Sequence, residues 1–204
     1  MRGTSEITNQ ILKSATAEFL DKGFEKASMR VIAKRAGVTT GAMYARYPNK
    51  DKVFGELVEP VIAEFMSATA EGNAISQEQI DNDNVVEMWA GTKYSSTEIM
   101  KLIYKNKTIF SLLINCSNGS SYENFIERIV EAEEKEVRTV LECFQQKGYA
   151  CIEVSEQVIH MLISAHCHAM FEIVRHDLSQ EDGFEQVNQI NDFFICGWNK
   201  IFGL

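Results

Sequence analysis

Between Arg30 and Lys50 the chain reads RVIAKRAGVTTGAMYARYPNK, five Lys/Arg and no acidic residue in a 204-residue protein of formal net charge −9. The residue types suit a polyanion. Thr39 and Thr40 carry hydroxyls for phosphates or base edges, and a threonine methyl can touch a thymine methyl. Gly41 has no side chain, so a helix bearing it can approach a nucleic-acid backbone closely. Tyr44 and Arg46 lie on the helical face opposite Met43 and Tyr47 and can reach a sugar–phosphate strand. Lys50 opens the next helix, whose first backbone N–H groups can also meet a phosphate. Ser28 stands at the start of the preceding short helix.

Other chemistry is less well supported. His160, His166, Cys167 and His168 suggest a metal, but adjacent helix positions diverge by about 100°, so His166 and Cys167 cannot easily share an ion. His160 and His168 are two turns apart. The five cysteines (Cys116, Cys143, Cys151, Cys167 and Cys196) form no CxxC pair and read as reduced thiols. Three Asn-x-Ser/Thr matches, at Asn106, Asn115 and Asn118, lack a secretion signal and are read as chance. No GxSxG elbow, P-loop, strand-borne GxGxxG or HExxH occurs. The expectation is no catalytic residue, no metal and no cofactor beyond a small-molecule inducer.

The charge is divided sharply. Residues 1–52 hold ten Lys/Arg and five Asp/Glu, and residues 53–204 hold ten and twenty-four, nets of +5 and −14. Such asymmetry bears on partners and not on fold. It marks a basic module, 1–52, on an acidic body, 53–204. Apolar runs are far too short for a membrane span, and the N-terminus lacks a signal peptide's apolar core. The chain reads as cytoplasmic.

The elements that must position these groups are helical. Only two prolines occur, Pro48 and Pro60, and no segment alternates with period two, so an all-α fold is expected. Ile7, Ile11, Leu12, Ala15 and Phe19 define a first helix, capped by Thr4 or Ser5 and stopped by Gly23. Ser28 caps a helix over 28–36 that ends at Gly37, and Thr39 caps a third over 39–47. Asn49 caps a fourth, Lys50 to about Ala70, which Pro60 would kink. EGNAISQEQIDNDN reads as loop or short helix with loop. The remaining helices are expected over 84–92, 97–116, 120–147, 154–177 and 180–203.

Two short helices joined by the Ala36-Gly37-Val38 turn make a helix-turn-helix, whose second helix would enter a major groove. From Ile11 to Leu57 the pattern is fuller. Ala15 and Phe19 precede Gly23-Phe24, followed by Ser28, Ile32-Ala33, Ala36-Gly37-Val38, Gly41, Tyr44, Tyr47 and Lys50. This ordered set, roughly a quarter of the chain, resembles the N-terminal DNA-binding domain of TetR-family transcriptional regulators. The resemblance implies a helix-turn-helix repressor of nine or so helices, a homodimer on a palindromic operator, and an inducer pocket in the body. Carried over position by position, the DNA contacts fall on Ser28, Thr39, Thr40, Gly41, Tyr44, Arg46 and Lys50. The family often has an aromatic and a His or Tyr where Ala45 and Arg46 stand here, which leaves open which bases are read.

The body carries no comparable signature. Helix 154–177 is apolar nearly all round, which suits burial on two sides, so 154–177 and 180–203 are expected to pair with their twofold mates. Trp89, Tyr94, Tyr104, Phe110, Ile114, Phe125, His166 and Met170 are the ligand-lining candidates, each also explicable as ordinary core. Surplus carboxylates would favour a cationic ligand, but runs such as EAEEKE read mainly as solvated helix face. Two alternatives compete with a regulator: a helical interaction protein, which leaves the basic module unexplained, and a sequence-blind DNA binder without an inducer, which leaves the body unexplained.

Overall fold

The computed structural model describes residues 2–204, with side chains from Ser5 onward. Among the described residues every regular element is helical. In chain order these are α1 (Arg2–Lys26), α2 (Met29–Arg35), α3 (Thr40–Arg46), α4 (Lys50–Asp81), α5 (Trp89–Lys105), α6 (Lys107–Asn115), α7 (Phe125–Gln146), α8 (Glu156–Arg175) and α9 (Gln180–Phe202), with one 3-10 turn over Val85–Met88. They form an N-terminal helix-turn-helix domain followed by a helical C-terminal domain.

Packing divides the chain into two compact units. One runs to Glu64 and takes in Asn106–Phe125; the other comprises Phe65–Lys105 and Ile126–Leu204. Charge changes sign near residue 52, whereas this packing boundary lies further along, inside α4.

In the first unit α1 buries Ile11, Ala15 and Phe19, spaced by four, on one face. Gly23 adopts φ 72°, a conformation that costs glycine little, and ends regular helix there. The redirected chain brings Phe24 against Phe19 and Phe54, with ring centroids 5.8 and 5.4 Å away, and Phe19 meets Phe54 edge-on at 5.1 Å. The amide of Phe24 donates to the Cys116 carbonyl (2.8 Å), tying α1 to the end of α6.

In the second unit α4 and α5 approach closely at one crossing. A Cβ at Gly91 would collide with the Gly72 carbonyl oxygen and the Ser76 hydroxyl. One at Gly72 would lie 2.7 Å from both the Gly91 carbonyl oxygen and the Ser95 Cβ. The Ser76 hydroxyl donates to the Met88 carbonyl at 2.8 Å, satisfying the turn that leads into α5. Small residues therefore let two backbones touch.

That crossing explains the main departure from the sequence expectation. Residues 71–81 are not a loop; α4 continues to Asp81 because Gly72, Ser76 and Ile80 face the second core. Polar composition describes only the solvent side of this segment. The expected helix 97–116 is in fact two, broken at Asn106 (φ −123°, ψ 35°), since Leu102 and Ile103 pack in one unit and Phe110, Leu112 and Leu113 in the other. The expected helix 84–92 is a 3-10 turn plus the start of α5, and 120–147 begins as helix only at Phe125. Helix is already formed at Thr4 and Ser5, so neither caps α1.

Gly91→Ala is expected to lower stability by at least about 1–3 kcal/mol, since backbone and not a flexible tip blocks the new methyl. Urea unfolding checks this: the midpoint falls with little change in slope, whereas exposed Gly41→Ala leaves it within about 0.5 kcal/mol.

Candidate nucleic-acid interface and ligand cavity

The helix-turn-helix is held by backbone chemistry. The Val38 amide donates to the Ala33 carbonyl (3.0 Å) and Gly37 to Lys34 (3.2 Å), the paired bonds of a Schellman ending, with Gly37 at φ 69°. One residue later the Thr39 hydroxyl accepts from the Ala42 amide at 3.1 Å and starts α3. Met43 and Tyr47 are buried behind α3. Thr39, Thr40, Gly41, Tyr44 and Arg46 are all exposed on its outer side. Five of the seven sequence-selected positions are thus accessible to solvent.

Ser28 and Lys50 are placed differently. Ser28 precedes α2 but makes no side-chain cap. Its amide donates to Oε1 of Glu18 (3.3 Å), a buried carboxylate whose Oε2 lies 3.7 Å from an Arg35 nitrogen. The Lys50 amine donates to the carbonyls of Glu25 (2.8 Å) and Ala27 (3.3 Å) and sits 4.5 Å over the Phe24 ring. Lys50 therefore staples the end of α1. Nothing local in the sequence distinguishes Glu18 from a solvated acid; only the fold brings α2 to it.

Within the second unit a cavity of about 200 Å³ opens between α4, α5, α7, α8 and α9. That is many times what one water needs. Three ligand-lining candidates border it: Trp89, His166 and Met170. Tyr104 does not; its hydroxyl donates to the Ser179 carbonyl (2.7 Å) and its ring stacks on Phe184. Phe110 and Ile114 sit on α6, in the other unit, because of the break at Asn106. Phe125 is buried in that same unit, and Tyr94 is exposed, donating to Glu71 at 2.5 Å.

The wall is mostly apolar and aromatic, with a few polar groups. Nε2 of His166 lies 3.0 Å from Oδ1 of Asn191, whose Nδ2 donates to the Ser96 hydroxyl at 3.0 Å. Burial holds the imidazole below its ordinary pKa, opposed in part by Asn191, so it is neutral near pH 7 and uses Nε2–H as donor. Its ring stacks on Phe194 with centroids 4.5 Å apart. Glu133 of α7 also lines the cavity. It is half-buried, and desolvation, with repulsion from Glu136, pushes its pKa up to about 7. Burial, with the nearby charges of Glu133 and Glu127, raises the Cys167 thiol to about 12. Glu133 reads in sequence as one acid in an acidic run. The available signal is its position between Ile129 and Val137, on the apolar stripe.

The other histidines have separate partners. His160 Nδ1 lies 2.6 Å from Glu134, and His168 Nε2 lies 3.5 Å from Glu127. Among the described residues no three His, Cys, Asp or Glu side chains are grouped to hold a metal. No helix is long and apolar enough to cross a membrane.

An exposed recognition helix on a capped, glycine-turned scaffold, joined to a helical body, defines a DNA-binding transcriptional regulator. Residues 11–57 match the model of bacterial regulatory proteins of the tetR family. The chain is 25% identical over 159 residues to an uncharacterized HTH-type transcriptional regulator of Haemophilus influenzae, covering 78% of each chain. It is 23% identical over 186 residues to the probable acrEF/envCD operon repressor of Escherichia coli, covering 88% of this chain and 80% of that one. Two crystal structures share the fold. NalD, the secondary repressor of the MexAB-OprM multidrug efflux pump in Pseudomonas aeruginosa, aligns with TM-score 0.57 and 18% identity over 93% of this chain and 96% of its own. A TetR-like regulator from Rhodococcus sp. RHA1 aligns with TM-score 0.57 and 15% identity over 94% and 96%.

Glu133 makes stability pH-dependent in a definite direction. Its pKa is raised in the fold, so its contribution is complete below about 4.5 and is lost as pH climbs through about 7. His166 acts oppositely: its pKa is lowered in the fold, so its contribution is complete above its unfolded value and is lost as pH falls below it. Glu133→Gln removes only the first effect. The variant is expected to be more stable than wild type at pH 8, by on the order of 2–3 kcal/mol, and nearly equal at pH 4.5. Urea midpoints at the two pH values check this.

Proposed function

We propose that the protein is a homodimeric repressor that binds a palindromic operator through α3 and releases it when a small molecule occupies the body cavity. The observation that carries the reading is the outer surface of α3: Thr39, Thr40, Gly41, Tyr44 and Arg46 lie exposed while Met43 and Tyr47 anchor the helix from behind. The repressor names of its relatives support the sense of regulation.

The dimer reading rests on α8 and α9. Val158 and Met161 on α8 and Phe193 on α9 are 40%, 67% and 74% exposed, large apolar groups that a lone subunit leaves in water. Beside Phe193 a Cβ on Gly197 would meet nothing within 4 Å, so the helix offers a smooth surface for a close partner. A second copy supplies matching faces by twofold symmetry. Two recognition helices about 34–36 Å apart then read half-sites one turn apart.

Ligand and DNA communicate through α4. Its first turns bury Val53 and Phe54 in the unit that carries α3, and its later turns present Phe65, Thr69 and Asn73 to the cavity. A ligand that prefers one placement of this helix biases the operator-binding state, with a coupling of about 1–3 kcal/mol, 5–150-fold in affinity.

Selection from random duplex DNA is expected to return one inverted repeat, with affinity falling steeply as salt rises. Tyr44→Ala should weaken that operator at least tenfold while sedimentation still shows a dimer. Normal operator binding by this variant would remove α3 as the reading surface. Phe193→Asp should sediment as a monomer and lose the operator; a dimer would place the interface elsewhere.

A further inference from the structure

The cavity is electrostatically one-sided. No Lys or Arg lines it, although five helices contribute to the wall. The one histidine on the wall, His166, is kept neutral by burial, against the opposing effect of its bond to Asn191. The titratable groups on the wall are Glu133 and Glu136 from α7 and His166 and Cys167 from α8; α4, α5 and α9 bring none. Among the described residues no cation pairs with Glu133, and Glu136 repels its charge.

A buried carboxylate without a partner is costly, and proteins ordinarily pair such a group or keep it neutral. Here the empty space beside it is large enough for a partner that is not protein. An anionic ligand would bring a second negative charge to a wall with nothing to receive it. A neutral apolar ligand would fill the space but leave the carboxyl unmatched. A cation supplies the missing charge, and Trp89, Trp198 and Phe194 on the same wall provide aromatic faces for its flat body and its charge.

We infer that the cavity takes a monocationic organic molecule with a flat apolar body, its positive nitrogen seated against the Glu133 carboxylate. The inference rests on the reading of the cavity as the inducer site and adds the ligand's chemical class. Glu133 supplies the charge. Burial holds the His166 imidazole neutral, so no positive group competes for the carboxylate. The raised pKa of the empty site fits this role, because cation entry must displace a proton from Glu133.

Both tryptophans of the chain line the cavity, so intrinsic fluorescence reports its occupancy directly. The full-length protein at pH 8 is titrated with three molecules of nearly one shape: N-methylacridinium, acridine and acridine-9-carboxylate. The cation is expected to quench with at least about tenfold higher affinity than neutral acridine, and the carboxylate weakest of all. Glu133→Gln should erase the cation's advantage while leaving acridine binding unchanged, which also shows that the variant folds. Lowering the pH from 8 to 6 should weaken N-methylacridinium about tenfold in wild type and hardly at all in the variant.

Equal or tighter binding of acridine or the carboxylate overturns the inference. So does a cation preference that survives Glu133→Gln, or the absence of quenching by all three. Operator release is measured separately, on the selected inverted repeat. If the cation binds through Glu133 but leaves operator affinity unchanged, the ligand class stands and the inducer reading fails.

Discussion

One helix has to serve two cores, and most of the architecture follows from that constraint. The first half of α4 buries Val53, Phe54 and Val58, and its second half buries Phe65 and Ile80. Pro60 lies between, where an interior proline removes one helical hydrogen bond and costs about 3 kcal/mol on its own. Apolar burial on either side offsets that cost: Val58 and Val61 are both buried next to it. Further along, Gly72 and Ser76 thin the helix so that α5 can lie against its backbone, and the cavity forms beyond that crossing. α4 thus contributes residues to both units.

Charge is distributed on two scales. Across the chain it separates a module of net +5 from a body of −14, which favours phosphate contact by one surface and discourages it elsewhere. Inside the body it acts locally. A wall without Lys or Arg, a neutral histidine and one carboxylate raised to about 7 make a site that prefers a positive guest. The first scale is visible in composition. The second depends on which few of the body's acids point inward.

The exposed face of α3 owes its placement to a turn, a cap and buried anchors. Gly37 allows the left-handed turn, Thr39 satisfies the first amides of α3, and Met43 and Tyr47 fix its rotation. Glu18 meets the Ser28 amide and Arg35 from below, and Lys50 clamps the carbonyls at the end of α1. Rigid support of this kind lets short helices of seven residues, too short to persist alone, present side chains in one geometry.

The sequence by itself determined the helical class and the helix-turn-helix with its capping threonine and turn glycine, and it marked Thr39, Thr40, Gly41, Tyr44 and Arg46, positions that the fold leaves exposed. These follow from interactions between residues a few positions apart, which periodicity and capping chemistry register directly. Only the tertiary structure decided that α4 runs to Asp81, that Asn106 divides one apolar run between two cores, that Lys50 is a staple, and that Trp89, His166 and Met170 share a cavity which Tyr104, Phe110 and Ile114 do not reach. The same holds for Glu133, one acid among many in α7 by composition. Burial, close backbone approach and the absence of a partner charge are properties of residues far apart in the chain, and they exist only once the helices have packed.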